Sequence, residues 1–333
     1  MLPDFASMLS RPGSLAETQD AGAPEKVPGR GAPPLALALG GGIARGWAHI
    51  GVLRAFDAAG LKPDIVVGTS VGAVVGGCWA AGRLDELEDW TRSLTKRRMF
   101  GLLDFSLAGA GLISGGRLKG LLEQNLGEAS IESLGPRFAA IATEYNTGHE
   151  IWLGRGKLVE ALRASYALPG IFEPVRVGGR WLMDGALTNP VPVSAARALG
   201  GRLVVAVNLQ SDVYGRGTVI QSVTTTERDQ AAAENLTWLR RIRGQTRPAE
   251  ETPPPKPDGA PGIPSVMVDA FGIMLDRISR SRLAGDPPDL TIGPRLADVG
   301  LFDFHRAGEA IDRGREAAER AIEPIHEAMK ALA

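Results

Sequence analysis

Apolar residues fall into two patterns along this chain, and the two alternate. Leu35-Ala36-Leu37-Ala38-Leu39 is an unbroken apolar run ending at Gly40-Gly41-Gly42, which predicts a buried strand entering a tight turn. Over 46–59, Trp47, Ile50, Val52, Leu53 and Phe56 recur at roughly helical spacing, and Gly60 closes the helix. A second apolar strand is expected over 64–68 and a second helix over 71–81. Strand and helix alternating without hairpin turns predicts an α/β protein: three layers, α/β/α, around a mostly parallel central sheet.

Farther along, helices are expected over 117–126 and 159–167, with strands over 138–143 and 202–208. Two alternating runs, 175–177 and 180–183, flank Gly178-Gly179 and predict a hairpin. Residues 265–283 return to helix and 289–292 form a short last strand. A charged helix over 307–331 is expected to break at Pro324. Pro, Gly and scattered charge make residues 1–34 a flexible leader. The core is then 35–210, followed by a mobile loop or insertion over 211–262, rich in Pro and Glu toward its end. Residues 263–333 complete the same domain.

Composition removes several function classes. The formal net charge of −1 gives no electrostatic case for binding nucleic acid. The single cysteine, Cys78, excludes an intramolecular disulfide or a cysteine metal cluster, and its apolar surroundings predict a buried structural thiol. The leader lacks the apolar centre of a signal peptide, and no run approaches the roughly 20 apolar residues of a spanning helix. A cytoplasmic protein is the expectation, with peripheral contact at the inner face of a membrane. Lys96-Arg97-Arg98-Met99-Phe100 sets basic charge beside apolar bulk and suits either an anionic membrane surface or a solvated helix end. Oligomeric state is not legible.

Three clusters carry the candidate chemistry. Gly68-Thr69-Ser70-Val71-Gly72 places a serine between glycines where a strand turns into a helix. Small neighbours let the chains pass closely there, and the hydroxyl stands at a helix N-terminus. The pattern fits a nucleophile or a plain structural turn. Gly40 to Gly46 (GGGIARG) also joins strand to helix. It fails the dinucleotide spacing G-x-G-x-x-G and lacks the Lys-Ser or Lys-Thr of a phosphate loop. An oxyanion site of backbone N–H groups therefore leads over a nucleotide loop and a structural turn. A serine nucleophile needs a base, normally histidine. His49 reads as a packing residue on a helix, while His149, His305 and His326 announce no role. Asp184, closing the apolar run Trp181-Leu182-Met183 before Gly185-Ala186, is a turn-forming residue or a buried base.

Together these stretches resemble the patatin-like phospholipase family, in the bacterial branch similar to neuropathy target esterase-type domains. The matching segments are Leu39 to Leu53 (LGGGIARGWAHIGVL), Gly68 to Gly72, and Asp184-Gly185-Ala186. The resemblance implies an α/β/α fold and hydrolysis of lipid acyl esters through a Ser–Asp dyad, with no metal or organic cofactor. Ser70 becomes the nucleophile and Asp184 the base. Gly41, Gly42 and Ile43 supply the oxyanion hole, supported by Gly40, Arg45, Gly46, Gly68, Gly72 and Gly185. One position departs: the family usually has another glycine where Ile43 stands, and isoleucine resists positive φ. That leaves a second reading, a catalytically weak regulatory or lipid-binding protein on the same fold.

Overall fold

The computed structural model describes residues 33–94, 116–212 and 263–333. The expected leader up to residue 32, the basic stretch at 96–103 and most of the expected loop (213–262) lie outside the described residues.

The sheet is built outward from β1 (Leu35–Leu39), which is buried at every position. It pairs in parallel with β2 (Ile65–Thr69) on one edge and β7 (Leu203–Val207) on the other. Beyond β2 lies β3 (Arg137–Glu144), and beyond β7 lies β8 (Leu290–Ile292), both parallel. Three antiparallel strands cluster at the far end of β3: β4 (Glu150–Leu153), β5 (Val175–Val177) and β6 (Arg180–Asp184). The Gly178-Gly179 turn joins β5 to β6, as the alternating pattern predicts; both glycines have positive φ.

Side chains on β1 alternate between two helical layers. Leu35, Leu37 and Leu39 face α1 (Ala48–Ala58), α2 (Val71–Ala80) and α8 (Ala307–Leu332), where Ile50, Leu53, Phe56, Val74 and Ile311 complete the core. Ala36 and Ala38 face α6 (Val193–Ala198) through Val193, Ala195 and Ala196. This is the expected α/β/α sandwich around a mostly parallel sheet. α1 and α8 touch backbone to backbone, since a Cβ at Gly314 would lie 2.0 Å from the Ala48 carbonyl oxygen.

The remaining helices are α3 (Leu84–Arg92), α4 (Gly116–Leu126), α5 (Leu158–Ser165) and α7 (Ile263–Gly285). α3, α6 and β4 were not anticipated by the sequence pattern. One expectation is corrected: α8 runs through Pro324 without interruption. Proline removes one backbone hydrogen bond, but Ile325, fully buried in the core beside it, keeps the last turns seated. Among the described residues, no helix is long and apolar enough to cross a membrane.

Candidate active site

β2 delivers the chain to Ser70 and α2 carries it away. Ser70 takes φ 56° and ψ −124°, on the left-handed side where a non-glycine residue costs about 1–3 kcal/mol. Hydrogen bonds hold it there. The Ser70 N–H donates to Ser165 Oγ at 2.9 Å, and the Ser165 hydroxyl donates to the Ile141 carbonyl at 2.6 Å. Next door, the Thr69 hydroxyl donates to the Asn189 carbonyl at 2.8 Å. The flanking glycines serve close approach, since a Cβ at Gly68 would lie 2.4 Å from Ala73 backbone and one at Gly72 would lie 2.3 Å from the Leu39 carbonyl oxygen.

The Ser70 hydroxyl donates to Asp184 Oδ2 at 2.6 Å, across 114 residues of sequence. Asp184 ends β6, is 2% exposed, and accepts the Ala186 N–H on Oδ1 at 2.8 Å. The Thr143 hydroxyl fixes the Asp184 carbonyl at 3.0 Å. Burial pushes the Asp184 carboxyl up to about 7, while the hydrogen bonds from Ser70 and Ala186 pull the other way. Gly185 packs directly on β3, where any side chain would collide with the Ile141 carbonyl.

The glycine loop lies beside this pair; a Cβ at Gly41 would be 3.6 Å from the Ser70 Cβ. Gly40 N–H donates to the Val207 carbonyl at 3.1 Å and Gly41 N–H to the Pro190 carbonyl at 2.9 Å. The N–H of Gly41, an expected oxyanion donor, is thus engaged with the Pro190 carbonyl in this structure. Ala44 N–H bonds the Leu301 carbonyl, which leaves Gly42 and Ile43 N–H without an acceptor among the described residues. Arg45 is buried, with Nε donating to the Val299 carbonyl at 2.7 Å and a terminal nitrogen to Gln210 Oε1 at 3.1 Å. It ties the loop to the chain before α8. Gly46 lets α2 approach, since a Cβ there would fall inside the Val71 side chain.

Ile43 adopts φ 51°, the conformation a β-branched residue resists. Glycine at this position should relieve the strain and alanine should not. Ile43→Gly is thus expected to be more stable than Ile43→Ala by about 1 kcal/mol, the reverse of the usual order. Urea unfolding of the two variants checks this, and equal midpoints would contradict it.

Among the described residues no histidine hydrogen-bonds Ser70 or Asp184. His49 instead lies 2.7 Å from the Gly40 carbonyl, and exposed His149 contacts Thr147. Cys78 is buried, and burial pushes its thiol up to about 12, in keeping with an inert structural cysteine. Sequence reasoning missed Ser165, Thr143, Asn189 and Pro190. The available signals were slight: a serine ending an apolar helix shortly before Pro169, and an Asn-Pro pair just beyond Asp184.

A profile of the patatin-like phospholipase family matches residues 37–197. A protein named as an uncharacterized NTE family protein, from Mycobacterium tuberculosis, is 34% identical over 339 residues, covering 90% of this chain and 94% of its own. The neuropathy target esterase of Drosophila melanogaster is 30% identical over 184 residues, 53% of this chain and 13% of that protein. A patatin-like phospholipase domain-containing protein of Caenorhabditis elegans is 34% identical over 186 residues, 53% of this chain and 14% of its own. The profile encloses the glycine loop, Ser70 and Asp184, and one relative aligns over nearly the whole of both chains; the chain belongs to the patatin-like phospholipase family.

Proposed function

We propose that this protein is a serine hydrolase of lipid acyl esters, working through a Ser70–Asp184 dyad and an acyl-enzyme. The observation that carries the reading is the 2.6 Å hydrogen bond from the Ser70 hydroxyl to a buried carboxylate, made at a strained strand-to-helix turn. A carboxyl raised to about 7 is matched to accepting a proton near neutral pH, which an ordinary aspartate does poorly. Family membership supplies the substrate class.

The chemistry proceeds in two halves. Ser70 Oγ attacks the ester carbonyl carbon while its proton passes to Asp184 Oδ2, and the carbonyl oxygen becomes an oxyanion. Gly42 and Ile43 N–H groups receive that charge, and losing one such donor typically raises the barrier by about 3 to 4 kcal/mol. The tetrahedral intermediate collapses, Asp184 returns the proton to the departing alcohol, and the acyl group stays on Ser70. Water then gives a proton to Asp184 and attacks the acyl carbon. Collapse releases the fatty acid and restores the Ser70 hydroxyl.

A fluorophosphonate is expected to label one residue, Ser70, as read by peptide mass mapping. The same preparation should release fatty acid from at least one of phosphatidylcholine, lysophosphatidylcholine and triacylglycerol. Folded protein that takes no label and releases no fatty acid would be a binding module on the same fold, and the proposal would fail.

A further inference from the structure

The mechanism above gives the buried His49 no role. His49 lies in the first turn of α1, fully buried, with Nε2 2.7 Å from the Gly40 carbonyl oxygen. A carbonyl only accepts, so Nε2 carries the hydrogen. Among the described residues Nδ1 has no partner, which makes it the bare nitrogen of a neutral ring. Protonating Nδ1 would bury a charge and an unpaired donor together, and burial accordingly lowers the His49 pKa to about 4.

What His49 grips matters more than its charge. The Gly40 carbonyl and the Gly41 N–H belong to one planar peptide unit. His49 holds the oxygen end, and the Pro190 carbonyl holds the N–H end at 2.9 Å. Pro190 sits on the segment that follows Asp184, whose neighbour Asn189 accepts from Thr69 beside the nucleophile. The peptide is therefore fixed against both the base-bearing segment and α1. Its orientation sets where the next two N–H groups, those of Gly42 and Ile43, can point.

We propose that His49 is a positioning residue for the oxyanion loop, an Nε2–H donor whose bond to the Gly40 carbonyl locks the Gly40–Gly41 peptide. The proposal rests on the Ser70 esterase reading for its catalytic consequence, and on the hydrogen-bond geometry alone for the tautomer.

Glutamine and methionine separate the two roles a buried histidine can have. Both reach about as far as the imidazole Nε2, but only the glutamine amide can donate to the Gly40 carbonyl. His49→Met is expected to lower kcat on a lipid ester on the order of 10- to 100-fold with KM little changed, less than the direct loss of an oxyanion donor. His49→Gln should recover most of that loss. Equal kcat in Met and Gln variants of matched melting temperature would overturn the proposal. If the methionine variant fails to fold, nitrogen-15 NMR of the unaltered protein decides. The expected spectrum shows Nε2 protonated and Nδ1 bare at pH 7, unchanged down to about pH 5; an Nδ1–H tautomer or an imidazolium would refute it. Absence of fatty-acid release and of phosphonate labelling in the unaltered protein would remove the esterase reading while leaving the tautomer result to stand or fall by itself.

Discussion

Purified Ser70→Ala is expected to lose lipid-ester hydrolysis by roughly 10⁵- to 10⁶-fold, the scale seen when a serine hydrolase loses its nucleophile. The fold should survive, because the elbow is held by contacts the substitution leaves alone: the Ser70 N–H still reaches Ser165, and Thr69 still reaches Asn189. Alanine is no worse suited than serine to φ 56°. The loss is therefore chemical, not structural. One secondary change follows: Asp184 loses the hydroxyl that stabilises its ionised form, so its carboxyl should titrate higher still. Fatty-acid release measured beside the unaltered protein checks the main effect, and full activity in a folded variant would sink the assignment.

Asp184→Asn should cost about 10⁴-fold in kcat, since the amide keeps the shape of the carboxyl but cannot accept the serine proton. A separate effect on stability should appear, and its sign is fixed by the direction of the pKa change. The usual value of 3.8 is raised to about 7 by burial. Below pH 4 both folded and unfolded chains hold the proton, and Asp184 contributes no pH dependence. Between pH 4 and pH 7 the folded protein keeps a proton that the unfolded chain has released, so stability falls as pH rises. The full decrement, reached above pH 7, is roughly 4 kcal/mol at about 1.4 kcal/mol for each tenfold difference. Asparagine has nothing to titrate. The variant should therefore gain on the unaltered protein as pH climbs from 4 to 8, even while it loses activity. Urea unfolding of both proteins across that range tests this, and parallel stability curves would contradict it. The kcat/KM of the unaltered protein should rise with pH through a limb near 7.

The parts of the fold that sequence makes legible are those in which one short segment decides its own fate. β1 is apolar at every position because both of its faces are covered, and the Gly178-Gly179 hairpin announces itself by alternation and by glycines that take positive φ. β4 was harder: its side chains are partly exposed, and Glu150 and Trp152 read as surface. The site shows the same division. Ser70 was visible in five residues because its strand, turn and helix are local. Its pairing with Asp184, 114 residues away, came from likeness to a family and not from spacing. The engagement of Gly41 with Pro190 and the relay through Ser165 depend on how distant segments pack, and no local pattern encodes either.

The bond from Arg45 to the Val299 carbonyl spans 254 residues, and Leu301 holds Ala44 in the same way. During synthesis, then, the glycine loop leaves the ribosome long before these two of its anchors. Ser70 and Asp184 can both be made while those anchors are still being translated, and β8, which borders β7 in the sheet, arrives at nearly the same late stage. The order of translation thus adds these two braces after those from Pro190, Val207 and Gln210, so a nascent chain carries both Ser70 and Asp184 before the glycine loop has its last supports.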